Sequence, residues 1–315
     1  MAGAIETHVA HWDDVAPATR GLGEIGAAWR DLGTASGTVR VGLRRFGIEP
    51  GMRPTPAHEH GAEEEIFYVL AGSGVSWVNG ETFEIREGDA IVYLPRSGAH
   101  TVVAGPAGLD VLAFGQRLDA ELCHLPRAGV MWAGPAWVPD AVAGGHPFKQ
   151  EWEKGGPLPM PEAPSPRPRF IVALADVPEQ ALERPGRSVR TRDLGRAAGS
   201  QATGLKQIAL APGSRSYPRH CHSAEEELFV VLEGDGTVVI GEAEAPVRAG
   251  SLISRPAGSR LAHAFRAGEH GLVMLAYGAR EPDDICFYPD SNKLFFRGLG
   301  VIGRIEPLDY WDGED

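Results

Sequence analysis

The sequence predicts an all-β protein of two sandwich or jelly-roll domains, with short helices and long connecting segments. Three observations predict it. Short segments rich in β-branched and aromatic residues recur along the chain, bounded by Gly, Pro, Asn or Asp. The 41 Gly and 25 Pro among 315 residues require many turns. One block of these segments occurs twice, in the same order. The length suits two domains of ordinary size, and 43% hydrophobic with 23% charged residues is an ordinary globular composition.

Taken in order, residues 1–37 read as an N-terminal extension in which "GEIGAAWRDL" is expected to be helical. Residues 38–115 read as the first domain, with strands in "VRVGLRRFGI", "EEIFYVLAG", "VSWVNGETFEI" and "DAIVYLP". Residues 116–170 form a Pro/Gly-rich connection, whose "GGPLPMPEAPSPRPRF" suits an extended crossing between domains. Residues 171–280 read as the second domain. There "VPEQALE" is expected to be a short helix, and "LKQIALA", "ELFVVLEG", "TVVIGEAEAPV" and "SLISRP" are expected strands. Residues 281–315 are too aromatic for a disordered tail. Phe287, Tyr288, Phe295, Phe296, Tyr310 and Trp311 are expected to be buried, with the tail packed across a sheet edge or between the domains.

The net charge of −12 argues against nucleic acid or an anionic membrane surface as partner. No apolar run approaches the roughly 20 residues that span a bilayer, and the first residues lack the pattern of a secretion signal. The three cysteines, Cys123, Cys221 and Cys286, are few and odd in number. A disulfide framework is not expected, and a cytoplasmic location is. The expected partner is a small-molecule substrate, and a homo-oligomer is compatible with the chain.

The repeat carries the chemistry. Residues 58–72 read "HEHGAEEEIFYVLAG" and residues 220–234 read "HCHSAEEELFVVLEG", 162 residues later. A further pair, His100 and His263, lies 163 residues apart, so one residue has been inserted in a loop. A period this long marks a duplicated domain rather than a solenoid. On a strand, residues i and i+2 share a face. His58 and His60 therefore project together, as do His220 and His222, while Cys221 points away. Glu65 shares a face with Phe67 and Val69, and Glu227 with Phe229 and Val231. A carboxylate on an apolar inward face needs compensation, which a divalent cation would supply. His100 and His263 would add a third imidazole. Three imidazoles and a carboxylate suit Mn, Fe, Co, Ni, Cu or Zn, and a cysteine-poor set is unlike a structural zinc site. Glu63, Glu64, Glu225 and Glu226 read as loop or outward charges. Cys123 and Cys286 read as ordinary buried thiols. His8, His11, His124, His146 and His270 have no repeated partner and read as structural or solvent-exposed.

The motif H-x-H-x4-E-x6-G, followed by a Gly/Pro-containing turn and a His, resembles the two motifs of the cupin superfamily. Two copies make the chain resemble a bicupin. The resemblance implies two double-stranded β-helix (jelly-roll) barrels with one divalent transition metal in each. It implies His58, His60, Glu65 and His100 as the first ligand set, and His220, His222, Glu227 and His263 as the second. The leading expectation is a dioxygenase similar to the quercetin- and pirin-type cupins, with Glu65 or Glu227 as general base. Phe67, Trp77 and Phe229 are then expected to face a phenolic or enolic substrate. An oxalate-decarboxylase or oxalate-oxidase type Mn enzyme is the second expectation, with Arg260 or Arg96 holding the substrate carboxylate. An isomerase or epimerase, and a ligand-binding cupin without turnover, are the others.

Overall fold

The computed structural model describes residues 8–133, 136–139 and 146–314; residues 134–135 and 140–145 of the expected connection lie outside them. The first half supplies strands β1 (Val9–His11), β2 (Ala18–Leu22), β3 (Ile25–Asp31), β4 (Val41–Ile48), β5 (Glu59–His60) and β6 (Glu65–Val78). It continues with β7 (Glu81–Arg86), β8 (Asp89–Tyr93), β9 (His100–Gln116), β10 (Leu122–Leu125), β11 (Val130–Ala133) and β12 (Ala136–Pro139). The second half repeats the series as β13 (Ile171–Ala173), β14 (Gln180–Arg184), β15 (Arg187–Asp193), β16 (Thr203–Leu210), β17 (Cys221–His222) and β18 (Glu227–Ile240). It ends with β19 (Ala243–Arg248), β20 (Ser251–Arg255), β21 (His263–Ala279), β22 (Ile285–Tyr288), β23 (Lys293–Phe296) and β24 (Val301–Arg304). Among the described residues the helical pieces are short, such as Leu32–Ala35 and Leu194–Ala197.

Each half forms a jelly-roll barrel. One eight-stranded sheet runs β13-β8-β6-β9-β4-β3-β2 with β7 on β6, and the other runs β1-β20-β18-β21-β16-β15-β14 with β19 on β18. The pairing is antiparallel, and each half lends its first strand to the other. Val9 of β1 pairs with Ile253 of β20, and Ile171 of β13 pairs with Ile91 of β8. The exchange covers strand edges that would otherwise be open.

Strand alternation explains why both faces are apolar. Phe67 and Val69 of β6 point into the first barrel with Phe46, Ile91 and Val111. Ile66 and Tyr68 point the other way, into a core shared with Leu228, Val230 and Tyr277 of the second half. Each such side chain contributes about 1.5–3 kcal/mol on burial. Position β8 between the two cores is buried at all 5 residues. The motif glycines also have a steric reason. Gly72 and Gly234 have φ of +84° and +78°, and a Cβ on either would collide with the carbonyl of Gly108 or Gly271. Both sit where the long strands shift register.

Three expectations are corrected here. "GEIGAAWRDL" is strand β3 over most of its length, and "VPEQALE" runs into strand β14 rather than a helix. Segments this short gain little as isolated helices, and pairing with β2 and β15 outweighs their Ala and Glu content. Glu64, Glu225 and Glu226 are not outward charges: Glu64 and Glu226 are 0% and 1% exposed, between the barrels, and Glu225 is 5% exposed and accepts the Glu281 N–H. The tail is only partly buried. Phe287, Tyr288 and Phe295 are half-buried, but Phe296, Tyr310 and Trp311 are 36%, 87% and 69% exposed. The tail's apolar rings up to Phe295 pack in the sheet β17-β22-β23-β24, and the described residues beyond Arg304 join no strand.

Candidate metal centres

Short strands deliver the histidines. β5 and β17 carry His60 and His222, and each is paired by a strand that follows the barrel: Cys123 of β10 opposite His60, and Cys286 of β22 opposite His222. His58 and His100 exchange two backbone hydrogen bonds, of 3.1 and 2.8 Å. His220 and His263 exchange theirs at 3.2 and 2.8 Å. Such close pairing sets their side chains on one face.

In the first barrel, one ligand atom from each of His58, His60, Glu65 and His100 lies within 4.8 Å of the others. His58 Nδ1–H donates to the Pro56 carbonyl (2.9 Å), His60 Nδ1–H to Glu121 (3.2 Å) and His100 Nδ1–H to the Gly98 carbonyl (3.2 Å). Each Nε2 is thereby left with its lone pair facing the cup. His100 Nε2 stands 3.2 Å from Glu65 Oε2, and His58 Nε2 stands 3.9 Å from it.

The second barrel repeats the plan with a difference. His220, Glu227 and His263 meet the same 4.8 Å limit, while His222 joins His220 and Cys286 in another group. His220 Nδ1–H donates to the Pro218 carbonyl (2.8 Å), and His222 Nδ1–H to Asp284 (2.7 Å). His222 Nε2 lies 3.5 Å from Glu227 Oε2.

The electrostatics match a cation. Burial, then the neighbouring imidazoles, holds His58 down to about 3. Burial takes His263 down to about 4 in spite of Glu227. Burial alone would raise Glu65, but the His100 ring beside it and the other imidazoles bring it to about 2. Glu227 is likewise held below the usual carboxylate range, with His222 and His263 outweighing its burial. His60 and His222 go the other way: burial disfavours their charge, but Glu121 with Glu65, and Glu227 with Asp284, raise them. The fit to a metal rests on orphaned atoms. His60 Nε2, His222 Nε2 and Glu227 Oε2 are buried without a hydrogen-bond partner. Such atoms are costly unless something coordinates them. The clusters are able to hold a divalent ion in each barrel.

The cups open into cavities of about 780 Å³ and 430 Å³. Phe67 lines the first and Phe229 the second. Trp77 and Arg260 are not brought to either. Trp77 packs with Ala57, Ala99 and Leu158 and donates its Nε1–H to the Pro159 carbonyl (2.8 Å), so it anchors the connection instead. Arg260 is exposed in a turn at φ +58°, and Arg96 is exposed in the matching turn at the same φ. The loops after β8 and β20 turn these side chains outward.

Sequence reasoning missed Glu121 and Asp284. Glu121 also accepts the N–H groups of Gly61 (2.9 Å), Ala62 (3.0 Å) and Glu63 (3.0 Å). Asp284 does the same for Ala224 (2.9 Å) and Glu225 (3.2 Å). Each carboxylate both shapes the turn and orients the second histidine. They lie 163 residues apart, the spacing of His100 and His263, and Cys123 and Cys286 share it. Continuing that register would have found all four.

A family model described as the cupin domain matches residues 44–110 and 207–276. Auxin-binding protein 1 of Arabidopsis thaliana is 34% identical over 180 residues, which is 52% of this chain and 81% of that protein. Dimethylsulfoniopropionate lyase DddW of Ruegeria pomeroyi is 39% identical over 85 residues, which is 26% of this chain and 53% of that protein. Among solved structures, the oxalate decarboxylase of Bacillus subtilis, studied for its Mn(II) centres, aligns with a TM-score of 0.58 at 14% identity, over 86% of this chain and 76% of that one. The formate complex of Lactobacillus farciminis oxalate decarboxylase aligns at 0.57 and 15% identity, over 86% of this chain and 85% of that one. At these identities the structural likeness carries the two-barrel fold alone.

Proposed function

The chain belongs to the cupin family, with one cupin domain in each half, and from that premise we propose that it is a transition-metal-dependent dioxygenase acting on a small phenolic or enolic substrate in the first barrel. The observation that carries the reading is the tetrad of His58, His60, Glu65 and His100 at a cavity of about 780 Å³ with aromatic walls. That volume falls in the range of roughly 300–1,000 Å³ typical of small-molecule sites. His58, His60, Glu65 and His100 would hold the ion there. When bound, the ion supplies Lewis-acid polarisation and, for a redox-active metal, a route for electrons between substrate and O₂.

The chain's own residues do the rest. Trp29, Phe46 and Phe67 line the cavity and present flat apolar faces that suit a planar ring and exclude water. Arg20 and Arg44 line it too and favour a substrate that carries a negative oxygen. Glu65 is the candidate proton acceptor. A carboxylate held at about 2 is a weak base, so it takes a proton only from a hydroxyl that has itself been acidified.

A metal-dependent lyase is the second reading, favoured by the similarity to DddW over 85 residues. Both readings are tested with protein loaded singly with Fe, Ni, Cu or Mn and offered a panel of phenols and enols in an oxygen electrode. The expected result is O₂ uptake matched by substrate loss, abolished by His60→Ala. Substrate loss that persists without O₂ would favour the lyase. Ligand-induced thermal shifts with no product under any condition would reduce the protein to a binding module.

A further inference from the structure

The two cups differ in one respect that the repeat does not predict. In the first, Cys123 stands opposite His60 and lines the cavity, yet it joins no group of ligand atoms. In the second, Cys286 stands opposite His222, and its Sγ lies within 4.8 Å of ligand nitrogens of both His220 and His222. The side chain of His222 is 7% exposed, and its Nε2 is buried with no partner. Cys286 is a free thiol, 3% exposed, on the wall of the second cavity. A second difference lies behind the cup. Tyr93, which stacks on His100 at 3.8 Å in the first barrel, pairs with Glu65; the residue paired with Glu227 in the second is Arg255. Arg255 is 3% exposed and places a buried positive charge beside the second centre.

The geometry points to Cys286 as a thiolate ligand of the second centre, acting with His220 and His222, so that the second barrel takes a thiophilic ion such as Zn²⁺ while the first takes a harder one. Thiolates select such ions, and imidazole with carboxylate does not. The thiol loses its proton to solvent as the metal–sulfur bond forms, with no change of oxidation state. This inference rests on the reading that the second barrel binds a metal at all.

The test loads chelator-treated protein with Co²⁺ and records its absorption. The expected result is two ions per chain and a thiolate-to-cobalt charge-transfer band that Cys286→Ser removes and Cys123→Ser leaves. X-ray absorption of the Zn²⁺-loaded wild type should show a sulfur neighbour at about 2.3 Å on half of the ions; this reading needs no variant to fold. Cys286→Ser should also weaken Zn²⁺ in the second barrel by more than the roughly tenfold that loss of an outer partner costs. Two bound ions without the band, or a band that survives Cys286→Ser, would overturn the thiolate ligand alone. One bound ion whose stoichiometry is untouched by His222→Ala would overturn the second centre and the thiolate with it.

Discussion

An imidazole serves a cation only through a nitrogen whose lone pair is free, and the cup histidines are tied so that this holds. His58, His60, His100, His220 and His222 each commit Nδ1 to a carbonyl or carboxylate outside the cup. Glu121 and Asp284 therefore govern affinity without touching the ion. Glu121→Gln is expected to weaken metal binding in the first barrel by about 10–100-fold and to spare the second, measured by competition with a chromogenic chelator. The pH response has a definite sign. In metal-free protein His58 and His263 are held at about 3 and about 4, whereas the unfolded chain binds those protons near pH 6.5. Stability should fall as pH drops from about 6.5 towards 4, by about 1.4 kcal/mol per proton and pH unit. Glu65, held at about 2, contributes stability above about pH 4.5 that is lost as pH falls through its folded value. His60 and His222 are raised, so their contribution is complete below about pH 6.5 and lost as pH rises through their folded values. Thermal melts of chelator-treated protein should thus peak near pH 6.5, and a melting point that rises steadily into acid would contradict this.

At the scale of elements, the barrels are locked by a reciprocal pair of buried carboxylates. Glu64 accepts hydrogen bonds from the hydroxyls of Ser200 and Thr203 and from the N–H groups of Gln201 (2.7 Å), Ala202 (3.2 Å) and Thr203 (3.2 Å). Glu226 accepts from Val39 (2.8 Å), Arg40 and Val41 (2.9 Å) of the other half. Each glutamate thus satisfies the start of the strand that opens the neighbouring barrel. Glu64→Ala leaves several buried donors without a partner and is expected to cost at least about 3 kcal/mol in urea unfolding. Glu84→Ala, on the exposed face of β7, should stay within about 0.5 kcal/mol. The connection is held in a similar way. Arg53 and Glu151, 1% and 0% exposed, pair at 3.1 Å, and Arg127 reaches the same carboxylate at 2.7 Å. The chain between the barrels is therefore bonded back onto the first barrel rather than simply stretched across the gap.

Over the whole molecule, the duplication is more complete than its motifs suggest. Among the described residues, twelve strands in each half follow one order, from β1 and β13 to β12 and β24. The halves share one apolar core and exchange a strand each, yet the two cups face separate cavities. Metal binding should accordingly be local. His222→Ala is expected to halve the metal content, from two ions per chain to one, by elemental analysis after dialysis. Loss of both ions would show that the cups are coupled through the shared core.

The sequence by itself determined the two barrels and brought the cup histidines and glutamates forward as candidate ligands, because a two-residue side-chain period and a repeated spacing are local properties that survive without coordinates. His58, His60, Glu65 and His100 could be grouped by strand alternation and by repetition. The Arg-Asp-Leu-Gly run at 30–33, repeated at 192–195, carried the same message about the N-terminal strands and went unread. Tertiary structure alone decided which elements meet across the molecule. It turned the expected helices into paired strands, buried Glu64 and Glu226, and left Tyr310 and Trp311 in solvent. It also sent Trp77 to the connection and Arg260 outward, while bringing Glu121, Asp284 and Cys286 to the histidines. The physical reason is common to all of these: burial and hydrogen-bond partnership are set by residues far apart in the chain, and residue type constrains them only weakly.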